Sequence, residues 1–196
     1  MNETGQERNS VSYSFHAAVV PSLLQILNGS LAWLAKAEIH AAENGISEEE
    51  MMGARLAEDM FPFNRQVRGF AMHAQGGIEG AIKGVFSPDM SPPPATFAGL
   101  KARVGSAASF LAGLDPAEVN ELVGKPMRFV FGETDLPFTA DNFLLSFSQP
   151  NFYFHVTTSY AILRGMGVEI GKMDYLANLR TGTPQQPFSL ASAPEV

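Results

Sequence analysis

Cysteine is absent from all 196 residues. Its absence excludes disulfides, thiolate nucleophiles and Cys-ligated structural zinc, and leaves His, carboxylate or amide groups as donors for any metal. It also fits a reducing compartment. Positive charge is scarce: 13 Lys and Arg stand against 20 Asp and Glu, a formal charge of -7, with no basic stripe anywhere. A phosphate backbone would find little to hold, so no nucleic-acid partner is expected. The N-terminus, M-N-E-T-G-Q-E-R-N-S, is polar and acidic where a secretory leader is basic and then apolar. No run approaches the roughly 18 apolar residues that a membrane helix needs. The expectation is a cytoplasmic protein with no membrane partner.

Enzyme signatures are missing too. There is no G-x-S-x-G, no P-loop, no G-x-G-x-x-G between a strand and a helix, and no internal repeat. A chain of 196 residues is long enough to bury a core without staples. One helical domain is expected over 1–176, with 177–196 a tail that is partly docked or disordered, because its end is rich in Pro, Ser and Thr.

What the chain does have is helical periodicity. Leu23, Leu27, Leu31 and Leu34 predict a first helix from Val11 to Asn44, with Pro21 at its true start or at a kink, His40 in its last turns and Gly45 as its stop. Ser47 and Glu50 form a capping box for a short helix to about Leu56. Pro62 suits the first turn of a second long helix running to about Lys83, with Asp59 at its head and a stripe of Phe63, Val67, Phe70, Ala74, Ile78 and Ala81. Val85 to Ala95 carries four prolines and reads as an extended crossover. Thr96 caps a third long helix striped by Phe97, Leu100, Val104, Ala107 and Leu111, and Asp115-Pro116 opens one short helix more. Met127 to Phe131 and Asp135 to Phe138 predict a small β-hairpin near 127–138, as a decoration. Thr139 begins the fourth long helix, kinked or restarted at Pro150 and ended by Gly165 and Gly167.

Two places carry chemistry. On the second long helix Gly69, His73, Gly76, Gly77 and Gly80 share a face, although each glycine costs roughly 0.5–1 kcal/mol against Ala in a helix. Either another helix packs closely there, or space is kept for a ligand beside His73. On the fourth, Asn151, His155 and Thr158 sit at i, i+4 and i+7, a polar row on an otherwise apolar helix that must be buried. A buried polar row needs partners. His40 reads as structural, and His16, at the start of the first helix, has no motif around it and is expected to face solvent or the bundle mouth.

Three stretches point to a family. P-N-F-Y-F-H-V-T-T-S-Y-A-I-L-R with its continuation G-V-E-I-G-K-M-D-Y-L, then A-R-L-A-E-D-M-F-P-F-N-R-Q-V and K-A-E-I-H-A-A-E, closely resemble an uncharacterised domain-of-unknown-function family of bacteria and fungi, over roughly Ser14 to Leu176. That family resembles a branch of the DinB/YfiT-like superfamily. The resemblance implies an all-α fold: a four-helix bundle with a long crossover, short extra helices and the hairpin. It also implies a divalent metal, zinc or nickel, held by three histidines, in proteins that include thiol-dependent transferases. His73 matches the first ligand and His155 the last, but the middle position is Asn151, whose neutral amide is a poor ligand. Asp59 or Glu58, folded back, would be needed to complete a set.

Two functions stand. One is a small-molecule or metal-dependent enzyme of DinB-like type, with His73, Asn151, His155 and Thr158 around a ligand and His73 and His155 on any metal. The other is a metal-free structural or interaction module whose polar cluster only stabilises the core. A cavity lined by His73, Asn151, His155 and one or more of Phe70, Tyr153 and Phe154 is expected, with the polar leader and His16 over its mouth. Fifteen Phe in so short a chain, with the dimers common among the resembled proteins, predict a homodimer.

Overall fold

The computed structural model describes residues 13–181. The whole polar leader, 1–10, and the tail from 182 onward lie outside the described residues. Helix α1 (Phe15–Asn44) begins where Ser14 Oγ accepts the Ala17 N–H at 3.2 Å and ends at Gly45, φ 68. It starts ahead of Pro21, which it holds inside. Although no long apolar run stands out in the sequence, α1 is long and apolar enough to cross a membrane, with a window of mean hydropathy 1.4. Half of that window is covered within the fold, where Leu23, Leu27, Trp33 and Leu34 are core.

Helix α2 (Glu48–Gly53) is capped by Ser47 as its sequence requires but stops short of Leu56. Glu48 Oε1 accepts the N–H of Phe97 at 2.8 Å and ties α2 to the helix that Phe97 opens. Helix α3 (Phe63–Lys83) corrects the reading of its own start. Pro62 stands just outside as the cap, and no side chain caps the end. Asp59 is not needed there, since the Phe63 N–H is taken by the Ala54 carbonyl at 2.8 Å. All six residues of the predicted stripe are buried.

The crossover differs from its reading as plain extended chain. Val85–Phe86 forms strand β1, parallel to β2 (Pro126–Phe131), which pairs antiparallel with β3 (Thr134–Thr139). The hairpin is therefore part of a three-stranded sheet. Met127, Phe129 and Phe131 alternate along β2, which sends their side chains to one face. Between β1 and β2 run α4 (Phe97–Ala112), capped by Thr96, and α5 (Pro116–Asn120), capped by Asp115.

The last long helical segment is in three parts: α6 (Ala140–Phe143), a π turn (Leu144–Ser148) and α7 (Gln149–Gly165). Pro150 stands in the first turn of α7. The widened turn lies just before it, with the Gln149 N–H reaching back to the Leu144 carbonyl. Val168 and Ile170 are buried beyond α7, and α8 (Lys172–Leu176) packs on α1 through a Lys36–Asp174 ion pair of 2.6 Å.

Helix α3 packs against both α7 and α4, and α4 against α1. Through the middle runs an aromatic line: Trp33 meets Phe70 edge-on at 6.2 Å, and Phe70 meets Phe152 at 6.1 Å. All three are fully buried. Such rings contribute about 1.5–3 kcal/mol each by burial, and their pairings a further ~1 kcal/mol.

Candidate functional site: two histidines on the floor of an aromatic cavity

His73 and His155 come together. Their rings lie 5.7 Å apart, centroid to centroid, and are within 16° of parallel. Two glycines make this approach possible. A Cβ on Gly69 would stand 2.9 Å from Cγ of His155, and one on Gly77 would run into Ser148. The glycine face of α3 is thus a packing face, and Gly69 is also part of a cavity wall.

Each imidazole is held through Nδ1. Gln66 gives its Nε2 proton to the Phe61 carbonyl at 3.1 Å, so its Oε1 is free to accept, and it lies 2.7 Å from His155 Nδ1. Ser148 donates its hydroxyl proton to the His73 carbonyl at 2.8 Å, leaving Oγ to accept from His73 Nδ1 at 3.4 Å. Both rings therefore carry their proton on Nδ1 and a lone pair on Nε2. Neither Nε2 has a hydrogen-bond partner among the described residues. Burial pushes His73 down to about 3, with the neighbouring His155 adding to it, and burial alone pushes His155 down to about 4. Both are neutral at physiological pH.

Above them opens a cavity of about 360 Å³. Its walls are Phe129 and Phe131 of β2, Phe147 of the π turn, Phe61, Met72 and Met90, with Arg65, Arg68 and Asp89 among them. His73 lies between Phe86, near parallel at 5.8 Å, and Phe147, edge-on at 5.9 Å. The π turn matters here, because its extra residue places both Phe147 and Ser148 against α3.

The other residues of the sequence reading lie elsewhere. Asn151 donates its amide to the Phe147 carbonyl at 2.7 Å, and Thr158 its hydroxyl to the Phe154 carbonyl at 2.7 Å. Neither lines the cavity, nor do Phe70, Tyr153 and Phe154. His16 is on the first turn of α1, its backbone N–H on Asn120, and His40 hydrogen-bonds the Met166 carbonyl. Gln66, Arg68 and Phe147 went unnoticed in the sequence. Gln66 could have been found, since it stands at i-7 from His73 and i-3 from Gly69, on the same helical face.

The residues present do not fit the metal. Among the described residues no three His, Asp or Glu side chains gather to hold an ion. Asn151 has turned to the backbone, neither Glu58 nor Asp59 lines the cavity, and Asp89 spends both carboxylate oxygens on Ser91. Two imidazoles alone make a weak site.

The family model described as Domain of unknown function (DUF1993) matches residues 15–176. The chain is also similar to a DinB family member protein from Shewanella denitrificans, whose crystal structure superposes with a TM-score of 0.72 at 28% identity, over 86% of this chain and 95% of that one. Curated proteins give no match.

Proposed function

The chain belongs to the DUF1993 family, with a DinB-family structural neighbour, and on that footing we propose that it is a metal-free binder of a small molecule in the His73–His155 cavity. One observation carries this reading: two neutral imidazoles, each with an Nε2 that has no partner among the described residues, line an aromatic cavity of about 360 Å³. Apolar walls with a few convergent polar groups are what a small-ligand pocket requires. A ligand with an O–H or N–H donor would complete both the burial and the hydrogen bonding. The four longer helices, α1, α3, α4 and α7, are read as the four-helix bundle of the DinB-like proteins, kept while the metal set was lost.

Phenol is the simplest probe. Titrated into protein with ¹⁵N-labelled histidine, it should shift the Nε2 resonances of His73 and His155 and leave those of His16 and His40 in place. Unmoved His73 and His155 resonances at millimolar phenol would overturn the reading.

The second reading, a structural or interaction module, is favoured by the satisfied side of the cluster, where Gln66 and Ser148 occupy both Nδ1 atoms. It predicts that His155→Ala weakens the fold and abolishes no binding. Either reading takes the protein as a homodimer, since Phe154 on α7 is 56% exposed and Leu145 in the π turn 44%, apolar surface that a second copy would cover.

A further inference from the structure

One wall of the same cavity is made by the crossover, and that wall is fastened from one side only. Pro88, Asp89 and Met90 line the cavity. From Pro88 to Ala95 no backbone group bonds another backbone group among the described residues. Pro88, Pro92, Pro93 and Pro94 restrict its backbone, so the segment is a semi-rigid strap. Among the described residues three hydrogen bonds tie it to the rest of the fold, and all three come from α3. Asn64 donates its amide to the Pro94 carbonyl at 3.2 Å, Arg68 Nη1 donates to the Ser91 carbonyl, and the Asp89 N–H donates to the Met72 sulfur at 3.3 Å. Asn64, Arg68 and Met72 stand at i, i+4 and i+8, one stripe of the helix. Their partners run in the opposite order, so the strap lies antiparallel along that stripe.

This fastening is costly. Asn64 Oδ1 and Arg68 Nε are sealed from water without a partner, and they are two of the four such side-chain atoms among the described residues. A buried polar group left unmatched carries its desolvation penalty in full. Both side chains reach the strap, so lifting it would return water to them. The third anchor is a thioether, a weak acceptor. On the outer side Met90 is 59% exposed. A segment without backbone bonds, facing water and held by imperfectly satisfied anchors, belongs to the least stable part of a fold. The strap also divides space. Met72 and Asp89 line both this cavity and a groove of about 480 Å³ that Gln75, Glu79 and Arg103 share, so their contact is the partition between the two.

We propose that residues 88–95 are a gate on the His73–His155 cavity, fastened to α3 by Asn64, Arg68 and Met72, which lifts to admit a small molecule and closes behind it. The anchors are positioning residues, and their unmatched atoms keep the closed state only slightly favoured over the open one. The proposal rests on the reading of the cavity as a ligand pocket and adds the way in.

The test uses the full chain with ¹³C-methyl methionine, and phenol as the probe. Relaxation dispersion should show microsecond-to-millisecond exchange at Met72 and Met90, and none at Met51 and Met127, which are buried away from the strap. Asn64→Asp keeps the volume, removes the donor and sets a carboxylate against the Pro94 carbonyl. It leaves the cavity wall untouched, and a negative charge in the first turn of α3 suits the helix dipole. The on- and off-rates of phenol, read from the His73 and His155 line shapes, should both rise at least about fivefold in that variant. A merely structural Asn64 would lower the melting temperature and leave those rates alone. The dispersion measurement is made on the wild-type chain, so it stands even if the variant folds poorly. Flat dispersion at Met72 and Met90, with His73 and His155 still shifted by phenol, overturns the gate and leaves the pocket standing. No shift of either histidine overturns both.

Discussion

His155 donates its Nδ1 proton to Gln66 Oε1 across 2.7 Å, and through that bond α3 decides which nitrogen of an α7 histidine carries the proton. The orientation is fixed one step further back, because the Gln66 amide is held by the Phe61 carbonyl at the head of α3. Replacing Gln66 by Met keeps the volume and removes the acceptor. The stranded N–H should cost about 1–3 kcal/mol of stability, read as a lower urea midpoint. Histidine NMR should also show His155 as a mixture of tautomers. An unchanged tautomer would mean that Gln66 only fills space.

Acid should weaken the fold before its carboxylates titrate. His73 is pushed down to about 3 and His155 to about 4, whereas histidine in an unfolded chain titrates near pH ~6.5. Between those values the unfolded chain binds more protons, so stability rises with pH. The contribution is complete above pH ~6.5 and is lost as pH falls toward the folded values, at up to about 1.4 kcal/mol per pH unit for each ring. Asp89, Asp141 and Asp174 are all held below the usual carboxylate range and join only at lower pH. Denaturant midpoints at pH 7 and pH 5 should therefore differ, and should converge in a His73→Phe, His155→Phe double variant. Equal midpoints in the wild-type chain would refute the neutral pair.

Glycine substitutions should divide by neighbour. At Gly69 an added methyl meets the His155 ring at 2.9 Å, so Gly69→Ala should destabilise by roughly 1–3 kcal/mol despite alanine's better helix propensity. At Gly105 on α4 nothing lies within 4 Å, and Gly105→Ala should stabilise by about 0.5–1 kcal/mol. Thermal melts read both signs.

These cases also mark what the sequence can carry. The α3 stripe and the caps at Ser47, Thr96 and Asp115 are local features, and spacing alone locates them. The histidine pairing was legible through family resemblance and the glycine face. The cavity walls were not. Phe129 and Phe131 reach the site because β2 pairs with a two-residue strand far away in sequence, and no local pattern announces that partner. Asn151 misled for a similar reason: its spacing put it in the polar row, but the π turn brought the Phe147 carbonyl within 2.7 Å of its amide.

Assembly can be read by light scattering. A homodimer should give about twice the monomer mass of 21.1 kDa. Phe154→Glu should shift it to the monomer without lowering the melting temperature much, because Phe154 is mostly exposed within one chain. A wild-type mass equal to the monomer at high concentration ends the idea.

Metal content should separate this protein from the three-histidine pattern that the sequence resemblance implies. Purified without a His tag and analysed for its elements, it should carry no stoichiometric zinc or nickel, since the amide of Asn151 is committed to the backbone and no acidic side chain replaces it. Asn151→His then becomes informative. It would place an imidazole at i-4 from His155 and restore the donor set of the superfamily pattern, and zinc or nickel affinity should rise by at least about tenfold, with proton release near neutral pH kept small because the ligands are already neutral. The Phe147 carbonyl would lose its donor, so a modest loss of apo stability, about 1 kcal/mol, should accompany the gain. Stoichiometric metal in the wild-type protein, at better than micromolar affinity, would instead show that two histidines recruit a third ligand, and the metal-free reading would fall.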